Sequence, residues 1–141
     1  MNTIQFTIPG EPVAKGRARA FVRNGHIAHH TPDKTARYEN LVKLAAQEAM
    51  HGKPPCEGPV KLTVCAYMGI GTSWSKKRQT AALEGRERPT KKPDVDNIVK
   101  AIKDGLNGVA WRDDSQVVRL VADKHWSDTP RVFVAISEVK L

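Results

Sequence analysis

The chain has 141 residues, of which 40% are hydrophobic and 27% charged, and this balance is typical of one globular domain rather than of a disordered or coiled-coil protein. Its 23 Lys and Arg residues exceed its 15 Asp and Glu residues, and the formal net charge of +8 favours a polyanionic partner such as nucleic acid. No apolar run reaches the roughly 18 residues of a membrane span, and no signal-peptide pattern is present. We therefore expect a cytoplasmic protein with no membrane partner.

The first 69 residues carry strand and helix signals in turn. The segments that read as strands are 3–8, 20–23, 26–29 and 59–69. Asn24-Gly25 predicts a hairpin between the second and third of them. Thr31 and Pro32 indicate the N-cap and first turn of a helix that extends to about Met50.

The second half begins with a strongly basic segment. Residues 70–92 contain Trp74 and seven basic side chains, and we expect a short helix from Ser75 to Glu84 within an otherwise mobile loop. Apolar residues spaced as on one helix face predict a helix over 94–107.

The remaining segments complete the fold. Residues 116–122 and 131–139 read as strands, which the turn Ser127–Pro130 joins as a hairpin. The order of elements predicts a single α+β domain of residues 1–141, a mixed β-sheet with helices packed against it.

The acidic residues are unevenly distributed along the chain. Residues 1–93 carry a net charge of +9 and residues 94–141 a net charge of −1. Five of the eight acids in the second part fall between Asp94 and Asp114. Clustered carboxylates repel DNA phosphates unless a cation lies between them, and this pattern suggests a divalent metal ion.

Two acidic pairs are the candidate ligands. Asp94 and Asp96 begin the helix of 94–107, and Asp113 and Asp114 precede the next strand. If these pairs converge, their hard oxygen ligands suit Mg²⁺ or Mn²⁺, and Lys100 nearby is a candidate for transition-state stabilisation during phosphodiester hydrolysis. Taken separately, the first pair also fits helix caps, the second pair a turn, and Lys100 a solvated helix position.

Basic residues outside this cluster are candidate phosphate ligands. They lie in the loop at 10–19 and in the segment at 70–92. The individual residues are Lys15, Arg17, Arg19, Lys76, Lys77, Arg78, Lys91 and Lys92. Each group also fits a solvated charged loop. Trp111 and Trp126 read as core or interface residues rather than base-stacking platforms.

The cysteines and nucleotide motifs are less informative. Cys56 and Cys65 read as reduced thiols, and no His has zinc-ligand spacing to them. No phosphate-binding or dinucleotide-binding glycine motif is present, so no nucleotide cofactor is expected.

One long motif resembles a known family. The string KKPDVDNIVKAIKDGLNGVAWRDDSQVV, together with IPGEPVAKGRAR near the N-terminus, resembles the RusA-type Holliday-junction resolvases common in phages and prophages. The resemblance implies that Asp94, Asp96 and Asp114 bind metal and that Lys100 is the catalytic lysine. Asp113 matches the neighbouring acid. Lys103, a second positive charge on the same helix, is a further candidate for the role of Lys100.

The same resemblance implies an activity. Members of the family act as homodimers that cut symmetric strands of branched double-stranded DNA with Mg²⁺, leaving 5′-phosphate and 3′-hydroxyl ends. Two other readings remain: a different metal-dependent nuclease, such as a flap or restriction-like enzyme, and a non-enzymatic basic DNA-binding regulator.

Overall fold

The computed structural model describes residues 3–16, 19–30 and 33–140, without the side chains at 19–21, 23 and 28–30. Within these ranges the strands are β1 (Thr3–Pro9), β2 (Arg19–Arg23), β3 (His26–His30), β4 (Val60–Gly69), β5 (Val117–Ser127) and β6 (Arg131–Glu138). The helices are α1 (Asp33–Met50), α2 (Lys76–Leu83) and α3 (Val95–Leu106), and a 3₁₀ turn spans Asp114–Gln116. This confirms the α+β class, while the expected helix start at Thr31 and Pro32 lies outside the described residues.

The main sheet has four strands in the order β1-β6-β4-β5. β5 runs parallel to β4, and the other neighbours are antiparallel. The expected hairpin between the last two strands is therefore wrong, because β6 inserts between β1 and β4. β5 and β6 are separated by β4, and two strands with one strand between them lie about 10 Å apart. The short link from Ser127 to Arg131 can span this gap.

Burial explains which strand is central and which lies at the edge. Val132, Val134 and Ile136 of β6 are fully buried, and this requires covered neighbours on both sides. β5 instead exposes Val118 and Leu120 and is also five residues longer at its C-terminal end than the sequence predicts. Tertiary burial thus overrides the short turn signal at residues 127–130.

Two helices pack side by side against one face of the sheet. α3 buries the apolar stripe that its sequence predicts, with Ile98, Ile102 and Leu106 fully enclosed. A Cβ at Gly105 would lie 2.8 Å from the carbonyl oxygen of Glu39 and from Val42, so glycine permits the close approach of α1. α3 is therefore held firmly, and its first turn has a fixed position.

A fully buried tryptophan follows α3. Trp111 donates a 2.6 Å hydrogen bond from its indole nitrogen to the side-chain oxygen of Asn107, and this confirms its expected core role. It anchors the chain that leads to Asp113 and Asp114.

The Asn24-Gly25 hairpin is also confirmed. Asn24 and Gly25 have φ angles of 50° and 76°, the left-handed values that a two-residue turn between twisted strands requires. β2 and β3 form a separate two-stranded sheet.

The basic segment after β4 is packed onto the domain. The segment contains α2, and Ala82 of this helix packs with Met68 and Trp126 in a second apolar cluster, beside the half-buried Trp74. Cys56 and Cys65 are free thiols. Among the described residues, no helix is long and apolar enough to cross a membrane.

Candidate active site and nucleic-acid interface

Two carboxylates at the start of α3 make no side-chain hydrogen bond or ion pair within the described ranges. Asp94 occupies the N-cap position with an extended backbone, yet its side chain makes no capping hydrogen bond. Asp96 lies in the first turn, and both residues are exposed. The capping interpretation of Asp94 is therefore not supported by its contacts, and both carboxylates remain available to a ligand.

The second acidic pair divides into a cap and a free group. The Asp113 carboxylate accepts a 3.0 Å hydrogen bond from the Ser115 backbone. Hydrogen bonds from the side chain and the backbone of Ser115 hold the pKa of Asp113 below its usual value. Asp113 also forms a capping box with Gln116. Asp114 is half-buried and makes no side-chain hydrogen bond in the described chain. Asp114 is thus the member of the pair with a free carboxylate.

Gln116 fixes this turn, and the sequence reasoning did not identify it. Its side-chain nitrogen donates to the carbonyl oxygens of Cys56 and Gly58 at 2.8 and 2.9 Å. Its side-chain oxygen accepts from the backbone nitrogens of Arg112 and Asp113. The signal available in the sequence was a glutamine two residues after an acidic pair.

The two acidic pairs lie beside different parts of β5 within one chain. The Lys124 ammonium group, in the later half of β5, donates a hydrogen bond to the carbonyl oxygen of Pro93 directly before Asp94, whereas Asp114 precedes Val117 at the start of the strand. The rise from Val117 to Ala122 alone is about 17 Å, and the 12 residues of α3 span about 18 Å.

This separation corrects the expected convergence. Oxygens that share one magnesium ion lie only about 4 Å apart. Within the described ranges, no three His, Cys, Asp or Glu side chains lie close enough together to hold a metal ion. One copy of the chain does not unite Asp94 and Asp96 with Asp114, because a helix and a strand of similar length run in opposite directions between them.

Lys100 lies one helical turn after Asp96. Its side-chain nitrogen is 3.8 Å from the Asp104 carboxylate, and the side chain is 59% exposed. Such an exposed pair contributes little stability, so the ammonium group can be recruited by a ligand. Lys103 is half-buried on the same helix, and its share in this role stays open.

Lys15 has a structural environment instead. Its ammonium group lies 2.6 Å from Glu39 and 3.0 Å from Asp104, and its side chain is only 24% exposed. Burial lowers the pKa of Lys15, but the hydrogen bonds and charges of the two carboxylates outweigh that effect and raise it. The residue ties the N-terminal loop to α1 and α3, and its assignment as a phosphate ligand stays a prediction.

A cavity of about 610 Å³ lies between that loop and α3. Its lining residues come from the loop, the start of α1 and the start of α3: Pro12, Val13, Ala14, Gly16, Lys34, Thr35, Lys92, Pro93, Asp94 and Asn97. The Lys15 backbone donates to the Asn97 carbonyl at 3.0 Å, and the Gly16 backbone donates to the Thr35 hydroxyl. These bonds hold the loop beside Asp94.

The other basic candidates fall into three groups. Lys76, Lys77, Lys91 and Lys92 are exposed. Arg78 pairs with Glu87 at 3.2 Å. Arg17 lies outside the described residues, and the side chain of Arg19 is not described.

A lysine that the sequence reasoning missed connects the basic segment to β5. The Lys124 ammonium group donates to the carbonyl oxygens of Lys91 and Pro93 at 2.7 and 3.0 Å. Lys92 and Pro93 are joined by a cis peptide bond. Lys124 therefore fixes the backbone immediately before Asp94.

Comparison with known proteins agrees with the sequence motif. The family described as "Endodeoxyribonuclease RusA" matches residues 9–137. "Uncharacterized protein YqaN" of Bacillus subtilis (strain 168) is 45% identical over 141 residues, which cover 99% of each chain. The solved structure of Atu1372, a protein of unknown function from Agrobacterium tumefaciens, covers 87% of this chain and 73% of its own at 12% identity, with a TM-score of 0.32. RusA-type nucleases bind branched DNA and generally depend on divalent metal ions. The match over nearly the whole length, together with the DVDN and DDSQ motifs, means that this chain belongs to the RusA family of Holliday-junction endodeoxyribonucleases.

Proposed function

We propose that the protein is a homodimeric, Mg²⁺-dependent resolvase that cuts four-way DNA junctions by paired phosphodiester hydrolysis. The proposal rests on two exposed carboxylates at the start of α3, Asp94 and Asp96. Asp94 makes no capping hydrogen bond and lies beside a cavity lined by the N-terminal loop and Lys92. A phage or prophage gene acting in the bacterial cytoplasm is part of the same proposal.

The separation of the acidic pairs argues for a site shared by two copies. β5 is an edge strand, and its side chains Val118, Leu120 and Val121 are 62%, 47% and 40% exposed. An exposed edge with apolar side chains readily pairs with another strand. In a two-fold dimer, two β5 strands would meet antiparallel.

The register of such pairing is constrained by the ends of the strand. Arg88 donates a 2.7 Å hydrogen bond to the carbonyl oxygen of Lys124 and covers the later part of β5. Pairing is therefore favoured over the earlier part, around Arg119. In that register Asp114 of one copy lies at about the level of Lys124 in the other, where Asp94 and Asp96 begin α3.

The donor set then suits a hard divalent cation. Asp94 and Asp96 of one copy and Asp114 of the other would hold it, with Asp113 as the cap that orients the turn. When bound, the ion neutralises phosphate charge and lowers the pKa of water. Mn²⁺ has the same preference for oxygen ligands and should substitute.

Lys100 supplies positive charge on the same helix. Its ammonium group can leave Asp104 and donate hydrogen bonds to a phosphate oxygen on which charge develops. The two sites of a dimer would act on two strands of a junction, whose two-fold shape they match.

Basic residues outside the proposed metal site would supply the contacts to DNA. Contacts to phosphate are independent of sequence, and affinity should fall steeply as salt rises. The residues proposed for these contacts are Lys15, Arg17, Arg19, Lys76, Lys77, Arg78, Lys91 and Lys92.

Cleavage of a synthetic four-way junction tests the proposal. Wild type should cut it with Mg²⁺ and not with EDTA, and Asp96→Asn should abolish cutting while junction binding persists. Glu84→Gln removes one exposed acid that pairs with Arg86 and should leave cutting unchanged. Equal cutting of linear duplex or flap substrates would indicate a different nuclease, and full activity of Asp96→Asn would refute the assigned site.

A further inference from the structure

A second cavity is lined by the basic segment and by Trp126 of β5, and none of its lining residues belongs to the proposed metal site. It measures about 500 Å³, within the range of sites that accept small molecules. Its lining residues combine two indoles with three cations and one carboxylate: Trp74, Arg78, Glu87, Arg88, Thr90, Lys91 and Trp126.

The two indole rings contact each other, and a cation lies over one of them. The rings of Trp74 and Trp126 meet edge to face with centroids 4.8 Å apart. The Arg78 guanidinium lies 3.5 Å above the centre of the Trp74 ring, and Glu87 holds Arg78 in place. A guanidinium plane fixed on an indole presents a flat surface on which a nucleobase can stack.

A residue that lines this cavity has a buried donor without a partner among the described residues. Trp126 is 7% exposed, and its indole N–H makes no hydrogen bond within the described chain. Buried donors are normally satisfied, because an unpaired N–H loses its hydrogen bond with water. This unsatisfied donor belongs to a residue that lines the cavity.

The cavity also lies close to the proposed scissile phosphate. Lys91, 5.4 Å from the Trp126 ring, is three residues before Asp94, and this distance along the chain is at most about 10 Å. That reach corresponds to a few nucleotides of one strand. The ammonium group of Lys91 is exposed and can contact the phosphate of the same nucleotide.

We propose that the cavity between Trp74 and Trp126 binds one unpaired nucleobase at the branch point of DNA. The base stacks on Arg78 beside the Trp126 ring, and Lys91 contacts its phosphate. This inference extends the proposed function, since it specifies how the enzyme recognises the branch rather than how it cuts. Bases at a branch are extruded at lower cost than bases within a duplex, so the cavity would favour branched over linear DNA.

Binding to three short DNAs in EDTA tests the proposal without cleavage. The probes are a duplex with one unpaired thymine, the same duplex with an abasic residue at that position, and a fully paired duplex. We expect wild type to prefer the unpaired thymine by about five-fold or more over both others, in line with the measured strength of base–aromatic stacking. The preference is read as a ratio of affinities, so loss of general electrostatic attraction cancels.

The chain offers a matched pair of variants. Arg78→Gln and Arg86→Gln each remove one cation that pairs with a glutamate in the same segment, but only Arg78 lines the cavity. Arg78→Gln should abolish the preference and Arg86→Gln should keep it. Trp74→Ala should also abolish it and Trp74→Phe should retain part of it, and should Trp74→Ala fail to fold, the arginine pair decides.

The outcomes separate this inference from the proposed function. Equal affinity of wild type for the three probes, or equal preference in Arg78→Gln and Arg86→Gln, would overturn the nucleobase site. If wild type prefers the unpaired thymine but does not cut the junction with Mg²⁺, only the proposed catalytic site is refuted.

Discussion

Mixing two inactive variants tests whether the catalytic site is shared between copies. Asp96→Asn removes a carboxylate at the start of α3, and Asp114→Asn removes one just before the start of β5, roughly 17 Å away along the strand in the same chain. Each variant alone should bind junctions without cutting them. In a shared site, a dimer of one variant with the other contains one doubly altered site and one site with all its carboxylates.

The size of the rescue follows from the arrangement of chains. Random exchange at equal concentrations makes about half of the dimers mixed, and each carries one intact site out of two, so about a quarter of the wild-type sites return. Because a mixed dimer cuts one strand only, the junction is nicked rather than resolved.

The assay is cleavage of an end-labelled four-way junction after the variants are mixed, unfolded and refolded together. The product expected is a nicked junction that neither variant yields alone. Mixing Asp96→Asn with Asp94→Asn is the control, since both changes fall in the same half of the site and no intact site forms. Absence of rescue in the first mixture, with mixed dimers demonstrated, would refute the shared site.

Further predictions concern the dimer edge and stability. Leu120→Lys should weaken dimerisation on analytical ultracentrifugation and lower cleavage, because it places a charge on the exposed apolar edge of β5. Lys15→Met should lower the free energy of unfolding in urea by about 1–3 kcal/mol, since Glu39 and Asp104 lose their shared cation. Burial, reinforced by the positive charge of Arg88, lowers the pKa of His125. As the pH drops below about 6.5, the unfolded chain therefore binds a proton at His125 more readily than the folded chain, and the free energy of unfolding should fall. The His125→Phe variant should lose less stability over this pH range.

Each of these outcomes can fail. An unchanged dimer in Leu120→Lys would place the interface elsewhere. Lys34→Met, an exposed change near the same loop, is the control for Lys15→Met, and equal stability of the two would contradict the structural role of Lys15. A pH dependence in His125→Phe that equals that of wild type would exclude His125 as its source.

Local spacing in the sequence was sufficient to predict the helices and strands, and also the half of the site that lies on α3. The apolar stripe of α3 determines its helical form, and the same 3.6-residue period puts Asp96 and Lys100 on one side of it. The Asn24-Gly25 turn likewise follows from the left-handed backbone that these residues accept. The DVDN and DDSQ motifs were enough to predict the family.

The tertiary structure decided the relations between elements. β6 lies between β1 and β4 rather than beside β5, because strand pairing depends on which side chains must be buried and not on the adjacent turn. The distance between Asp94 and Asp114 follows from the opposite directions of α3 and β5, and the ion pairs of Lys15 follow from the packing of α1 on α3. The tryptophan cavity forms from residues some 50 positions apart, Trp74 and Trp126, whose contact no local period encodes.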